Sequence, residues 1–460
     1  MSRPTTCPML LLLAAIPLAA VAAPPAAGTQ PPAGTSASAP GASASAQQTV
    51  TVAPPAPDDR IRDAAGKLAP KMVELRRDLH MHPELGNRET RTGALVAARL
   101  RALGLDVRYP VARTGVLAVL RGGLPGRTAA LRADMDALPI QETNDVPYKS
   151  RVPGVKHACG HDGHTVIVLG VAEVLSGMRA ELPGTVVFLF QPAEEGPPEG
   201  EDGGALLMMK EGALVDPPVD AVFGLHMDPL LDVGDVGWAI GPIFASSDTF
   251  RITVAGKSTH GAMPHTGLDP IPVAADLIEA LQSMVSRETD ARSPKVLSIG
   301  TIQGGSRFNI VADKVTMDGT IRTLDEAVRA DLKTRMERTV RGIAAAHGTT
   351  ATLAWIGASN PATINDAALT RASLPALRRA CGPEHVVEVP PQMAAEDFAY
   401  FARKVPGLYV KMGVRNEKRG ITAMLHTAEF DLDEAVLPVG VRALANAVWD
   451  FNAAAAPETR

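Results

Sequence analysis

The run Val186-Val187-Phe188-Leu189-Phe190 passes without a break into Gln191-Pro192-Ala193-Glu194-Glu195-Gly196. An unbroken apolar run of strand length marks a strand covered on both faces, as in a parallel sheet between helices. Adjacent acids at its carboxyl end fall where open α/β sheets place their sites. Similar short apolar runs occur at Gly115 to Leu120, Thr128 to Arg132, Ala221 to Leu225 and Leu408 to Met412. Helical spacing separates or follows them at His164 to Met178, Gly204 to Lys210 and Asp433 to Phe451. Two further helices precede them, one through Ile61, Leu68, Leu75 and Leu79 and one over Arg91 to Leu103, stopping at Gly104. Strands alternating with helices predict an α/β fold: a mainly parallel sheet with helices on both faces.

The stretch from Pro242 to Trp355 has a different pattern. Strand-like segments at Asp248 to Val254, Val296 to Gln303 and Lys314 to Arg322 carry helices at Pro270 to Ser286 and Asp325 to His347. This predicts an α+β module, residues 242–355, inserted into an α/β domain made of residues 58–241 and 356–460. The N-terminus reads as a targeting segment. Arg3 is followed by an apolar stretch from Met9 to Ala20 and the small-residue site Ala20-Val21-Ala22. The stretch is too short to span a bilayer comfortably, so residues 1–22 are expected to be a cleaved signal peptide and the protein periplasmic or secreted. Residues 23–57, almost only Ala, Pro, Ser, Gly and Thr, are expected to be a disordered linker.

A net charge of -5 and the lack of any dense Lys/Arg run argue against nucleic acid as a partner. Of three cysteines, Cys7 falls in the leader, leaving Cys159 and Cys381. A bridge between them would consume the thiolate that the site below needs, so no disulfide is expected.

Cys159-Gly160-His161 places a thiol and an imidazole within reach of one centre, with Gly160 allowing a tight turn. Alone, this pair is a weak signal, and Glu194 and Glu195 alone can be read as a solvated acidic loop. His226, after the strand Ala221 to Leu225, and His426, after the strand at Leu408, are each more often ordinary histidines. Together, Cys159, His161, Glu195, His226 and His426 exceed one tetrahedral site, and two metals sharing a bridging group is the economical interpretation. Ligands scattered along the chain suit a catalytic centre better than a structural zinc site.

These motifs resemble the two-metal exopeptidase and aminoacylase family, in its amidohydrolase branch of aminoacylases, hippurate hydrolases and auxin-conjugate hydrolases. The resemblance rests on Leu79-His80 with Pro83-Glu84-Leu85-Gly86, Arg132 to Pro139, His157 to His164, Gln191 to Gly196, Leu225-His226, His260 to His265, Glu396-Asp397-Phe398 and Leu425-His426. It implies that the five residues bind two divalent ions, with Cys159 as bridge, and that Glu194 is the general base and proton donor to the leaving amine. It further implies that His260 stabilises the oxyanion, and that Asn309 and Arg322 hold the substrate carboxylate. The inserted module would be a lid or dimerisation domain, with Gly241 and the Ala358 region as hinges. A homodimer through that module is one arrangement, and whether His260 serves its own chain or a partner copy stays open. Zinc suits thiolate and imidazole, and manganese or cobalt can occupy such mixed sites too.

His80 and His82, at the end of the first helix, read as structural. Asp134 and Asp136 read as residues that orient ligand histidines, and His164 as an orienting residue or helix cap. The sequence departs from the family pattern at Met227-Asp228-Pro229, at Ala395 and in the acidic loop Pro197 to Asp202. The expected reaction is hydrolysis of N-acyl or aryl-acyl amino acids or related small amides. The alternatives are a dipeptidase or carboxypeptidase, and a non-catalytic periplasmic metal- or ligand-binding protein; Glu194 beside a full ligand set argues against the last.

Overall fold

The computed structural model describes residues 56–454. The leader expected at 1–22 and the linker expected at 23–57, up to residue 55, lie outside the described residues. The chain starts with helices α1 (Asp58–Met81) and α2 (Thr90–Ala102), the first opening on the acidic pair Asp58 and Asp59. Acids in a first turn complement the helix dipole. Strands β1 (Asp106–Val111), β2 (Gly115–Arg121) and β3 (Leu124–Asp134) lead to helix α3 (His161–Gly177). Strand β4 (Pro183–Gln191), helix α4 (Gly204–Lys210), and strands β5 (Ala221–Asp232) and β6 (Val236–Trp238) continue the domain.

The chain then leaves through β7 (Gly241–Phe244) into the inserted module: β8 (Ser247–Ala255), α5 (Pro270–Arg287), β9 (Lys295–Gly304), β10 (Lys314–Thr323), α6 (Glu326–Ala346) and β11 (Ala351–Asn360). It returns through β12 (Thr363–Asn365), α7 (Ala367–Cys381), β13 (Val386–Glu388), α8 (Ala399–Ala402), β14 (Gly407–Arg415) and α9 (Val436–Ala453). Aspartates cap three of these helices: Asp269 accepts from Ile271 N, Asp325 from Ala327 and Val328 N, and Asp366 from Leu369 N.

The large sheet has eight strands in the order β1-β2-β4-β3-β5-β14-β6-β13. Its centre, β4-β3-β5-β14, is parallel throughout, and β1, β2 and β6 add antiparallel pairings. Alternate residues of one strand feed opposite cores. Val186, Phe188 and Phe190 pack with Ile167, Val171 and Leu444, while Val187 and Leu189 pack with Ala205, Met208, Phe398 and Phe401. The period of two along a strand places helices on both faces, as the apolar runs predict.

The inserted module is a separate four-stranded antiparallel sheet, β11-β8-β10-β9, backed by α5 and α6. Its core of Phe250, Ile252, Leu277, Leu281, Met317 and Met336 is distinct from the other two.

Four local expectations need correction. Helix α3 begins at His161 rather than at His164, because Gly160 turns at φ 89 and the helix begins at once. His226 lies inside β5, which runs on to Asp232 because β14 pairs along its whole length. Strand β11, for which no strand was expected, runs across the expected module end at Trp355 to Asn360, pairing with β8 down to Ser247. Helix α7 is not among the expected helices; with Pro375 inside it, Leu369, Leu377 and Ala380 bury one face. Cys159 and Cys381 are both free thiols.

Candidate metal centre

Strand β4 delivers Glu194 and Glu195 at its carboxyl end, β5 delivers His226, and the start of α3 delivers Cys159 and His161. The loop after β14 brings His426, whose backbone N–H donates to Ala158 O at 2.8 Å. His426 holds φ 61, uncommon for a non-glycine residue and a sign that its surroundings dictate its conformation. Cys159 Sγ lies 3.3 Å from His226 Nε2 and 3.3 Å from His426 Nε2. His426 Nε2 is in turn 3.0 Å from Glu195 Oε1. Two donor triplets result, Cys159 with His161 and His226, and Cys159 with Glu195 and His426, the donor atoms of each lying within 4.8 Å of one another. All five residues singled out as ligands converge, and the sulfur belongs to both triplets.

The ring orientations fit metal ligation. His161 Nδ1 faces Asp136 O at 2.9 Å, and His226 Nδ1 faces Met227 O at 2.7 Å. A carbonyl only accepts, so each Nδ1 carries the proton and each Nε2 presents a lone pair to the centre. His161 Nε2 is buried with no hydrogen-bond partner. The charges fit as well. Burial, followed by Glu195, Glu194 and Asp134, pushes the Cys159 thiol well above its ordinary range. Burial, then Glu396, Glu195 and Asp397, raises Glu194 likewise. Burial works against positive charge at the His161 ring, while Asp134 and Asp136 favour it. Buried anions crowded this closely call for positive charge among them, and divalent cations supply it.

The supporting residues divide as the sequence suggests. Asp136 faces His161 Nδ1 through Oδ1 at 3.2 Å and accepts the Glu195 N–H through Oδ2 at 3.0 Å. His164 is fully engaged: Nδ1 donates to Asp134 Oδ1 at 2.6 Å, and Nε2 accepts from Met227 N–H at 2.9 Å. It has no lone pair left for a metal and instead orients β5 beside His226. His82 Nδ1 donates to Asp78 O at 2.8 Å, and His80 is buried between Asp162 and Glu142. Among the described residues, neither belongs to a donor group that could hold a metal.

Sequence reasoning missed a role for Arg132. It is fully buried and donates to Asp134 Oδ2 (2.6 Å), Gln191 Oε1 (2.9 Å), Glu396 Oε1 (2.9 Å), Asp397 Oδ1 (2.9 Å) and Tyr409 OH (3.2 Å). One guanidinium therefore ties the carboxylates beneath Glu194 into a fixed floor, and the Asp397 N–H reaches Glu194 Oε1 at 3.4 Å. A charged residue in the middle of an apolar strand was the signal that could have found it.

The inserted-module residues stand apart. His260 is exposed, and its loop pairs with the next one through Gly261 N–H to Asn309 O at 2.8 Å. The Asn309 side-chain oxygen is buried without a partner, and Arg322, on β10, is half-buried. Among the described residues none of the three hydrogen-bonds to a member of the two donor triplets.

A family model described as peptidase family M20/M25/M40 matches residues 130–450. Thermostable carboxypeptidase 2 of Saccharolobus solfataricus is 40% identical over 391 residues, covering 85% of this chain and 97% of that protein. An IAA-amino acid hydrolase of Arabidopsis thaliana is 40% identical over 372 residues, covering 80% and 83%. Among solved structures, the Bacillus subtilis YXEP protein, described as a dinuclear metal-binding peptidase, superposes with a TM-score of 0.72 at 35% identity, covering 83% of this chain and 98% of that one.

Proposed function

Since this chain belongs to peptidase family M20/M25/M40 and is a metal-dependent hydrolase of amide bonds in small substrates, we propose that its substrates are N-acyl amino acids. The observation that carries the mechanism is the sharing of Cys159 between two donor triplets with Glu194 alongside. Cys159, His161, Glu195, His226 and His426 would hold the divalent ions, which when bound would supply Lewis acidity to the scissile carbonyl and to water. Zinc fits the thiolate and imidazoles best, and manganese or cobalt is also compatible.

Glu194 takes the proton of the attacking water and passes it to the leaving amine. Its burial suits the task, because a carboxylate held above its usual range is a stronger base. His260 supports the oxyanion when the inserted module closes over the cleft. Asn309 and Arg322 hold the substrate's free carboxylate; a half-buried guanidinium with no side-chain partner among the described residues is free for that ion pair.

The Arabidopsis relative is named for amino-acid conjugates and the Saccharolobus relative for carboxy-terminal peptide cleavage. A screen of the metal-loaded protein against N-acetyl, N-benzoyl and indole-acetyl amino acids and dipeptides separates the two. N-acyl amino acids should give the higher kcat/KM, and cleavage of dipeptides alone would sink the proposal. In the same screen, Arg322→Ala should lose about ten- to a hundredfold in kcat/KM on substrates with a free carboxylate, the worth of one charged hydrogen-bonded pair. Equal losses on amide-capped substrates would remove the clamp.

A homodimer through the inserted module is part of this proposal. Strand β9 ends its sheet, and Val296 and Ile302 on it are exposed. An open apolar edge invites pairing with a second copy. Sedimentation at micromolar concentration should show a dimer; a fully active monomer would discard it.

A further inference from the structure

The backbone on either side of Glu194 is anchored by two buried carboxylates. On the following residue, the Glu195 N–H donates to Asp136 Oδ2 at 3.0 Å. On the preceding residue, the Ala193 N–H donates to Glu89 Oε1 at 2.8 Å. Asp136 already belongs to the centre through His161. Glu89 does not: it sits far back in the sequence, at the start of α2, and touches no proposed ligand. We infer that Glu89 is a positioning residue for the base, holding the β4–α4 loop so that Glu194 stays aimed at the reacting centre.

Three observations support this. Ala193 adopts φ 52, a conformation L side chains rarely hold, so something must impose it. Gly86 packs against it so closely that a Cβ there would lie 3.2 Å from Ala193 Cβ and 2.9 Å from Gly196 O. The Glu89 hydrogen bond then fixes the peptide plane that this close approach leaves undetermined. Second, Glu89 has both oxygens engaged, the other accepting from Thr114 Oγ1 at 2.6 Å, so the carboxyl group spans two segments of chain. Third, Glu89 is fully buried and, among the described residues, no Lys, Arg or His forms an ion pair with it. Burial and the nearby Asp136 accordingly raise it to about 7. A buried carboxyl group without a cation is costly where packing alone is required, and a loop that must be held by its N–H group gives it a purpose.

Two conservative variants separate reach from charge. Glu89→Gln keeps the length: its carbonyl can accept from Ala193 N–H while its amide donates to Thr114 Oγ1. Glu89→Asp keeps the charge but is one methylene short of spanning both partners. With an N-acyl amino acid as substrate, Glu89→Asp should lose about a hundredfold in kcat, since a shift of about 1 Å in a reacting group costs that much. Glu89→Gln should stay within about tenfold of the parent. KM and metal content per chain should stay near parental values in both. Glu89→Asp at or above Glu89→Gln in kcat would overturn the inference, as would losses that follow metal content or KM. The inference rests on Glu194 as the base, and Glu194→Gln tests that separately. A dead Glu194→Gln with parental Glu89 variants fails the inference alone, while an active Glu194→Gln fails the base assignment itself.

Discussion

Glu194→Gln is expected to cut kcat by about a hundred- to ten-thousandfold, the usual contribution of a positioned general base, with the metal content unchanged. The amide keeps the shape of the carboxylate and can still accept the Asp397 N–H that reaches Glu194 Oε1 at 3.4 Å. Glu194 stands outside both of the triplets that share Cys159, but its carboxylate also groups with the His161 and Glu195 donor atoms, so metal content is measured beside turnover. What is lost is a site for the proton between water and the leaving amine. The floor beneath it, where Arg132 gathers Asp134, Glu396 and Asp397, should be undisturbed. Equal thermal unfolding of the two proteins would establish this. Near-parental hydrolysis by the variant would remove Glu194 from the base role.

Cys159→Ser is expected to strip the centre of metal. The sulfur lies 3.3 Å from the Nε2 atoms of both His226 and His426, so one substitution weakens both triplets. Serine fits the buried space, so the fold should survive, but its hydroxyl does not ionise as a thiol does. Removing a residue that merely orients a ligand already costs about ten- to a hundredfold in metal affinity or activity. Loss of a shared ligand should reach at least about a hundredfold in turnover, with a matching fall in bound metal by elemental analysis. Unchanged stoichiometry would refute the ligand assignment.

The residues that the fold gathers around Cys159 could be picked out because buried parallel strands announce themselves. A run such as Val186 to Phe190 needs no partner to be recognised, and a polar residue at its carboxyl end has a known place in an α/β sheet. The context of those residues was less legible. His226 reads as following its strand because the pairing that extends β5 comes from β14, far along the chain. Arg132 has carboxylate partners 264 and 265 residues away, which no local pattern can reveal. Glu89 reads as an ordinary acid at a helix start, and only the folded chain brings it to Ala193, 104 residues on. The inserted module was visible as a change of pattern, whereas its last strand was hidden by the register that pairs Asn360 with Ser247.

Elemental analysis of the purified chain, paired with hydrolysis of an N-acyl amino acid before and after exhaustive chelation, tests the two-metal centre most directly. Expected are about two divalent ions per chain, loss of turnover as they are removed, and recovery on adding back zinc, manganese or cobalt. Undiminished hydrolysis by the metal-free chain would contradict it.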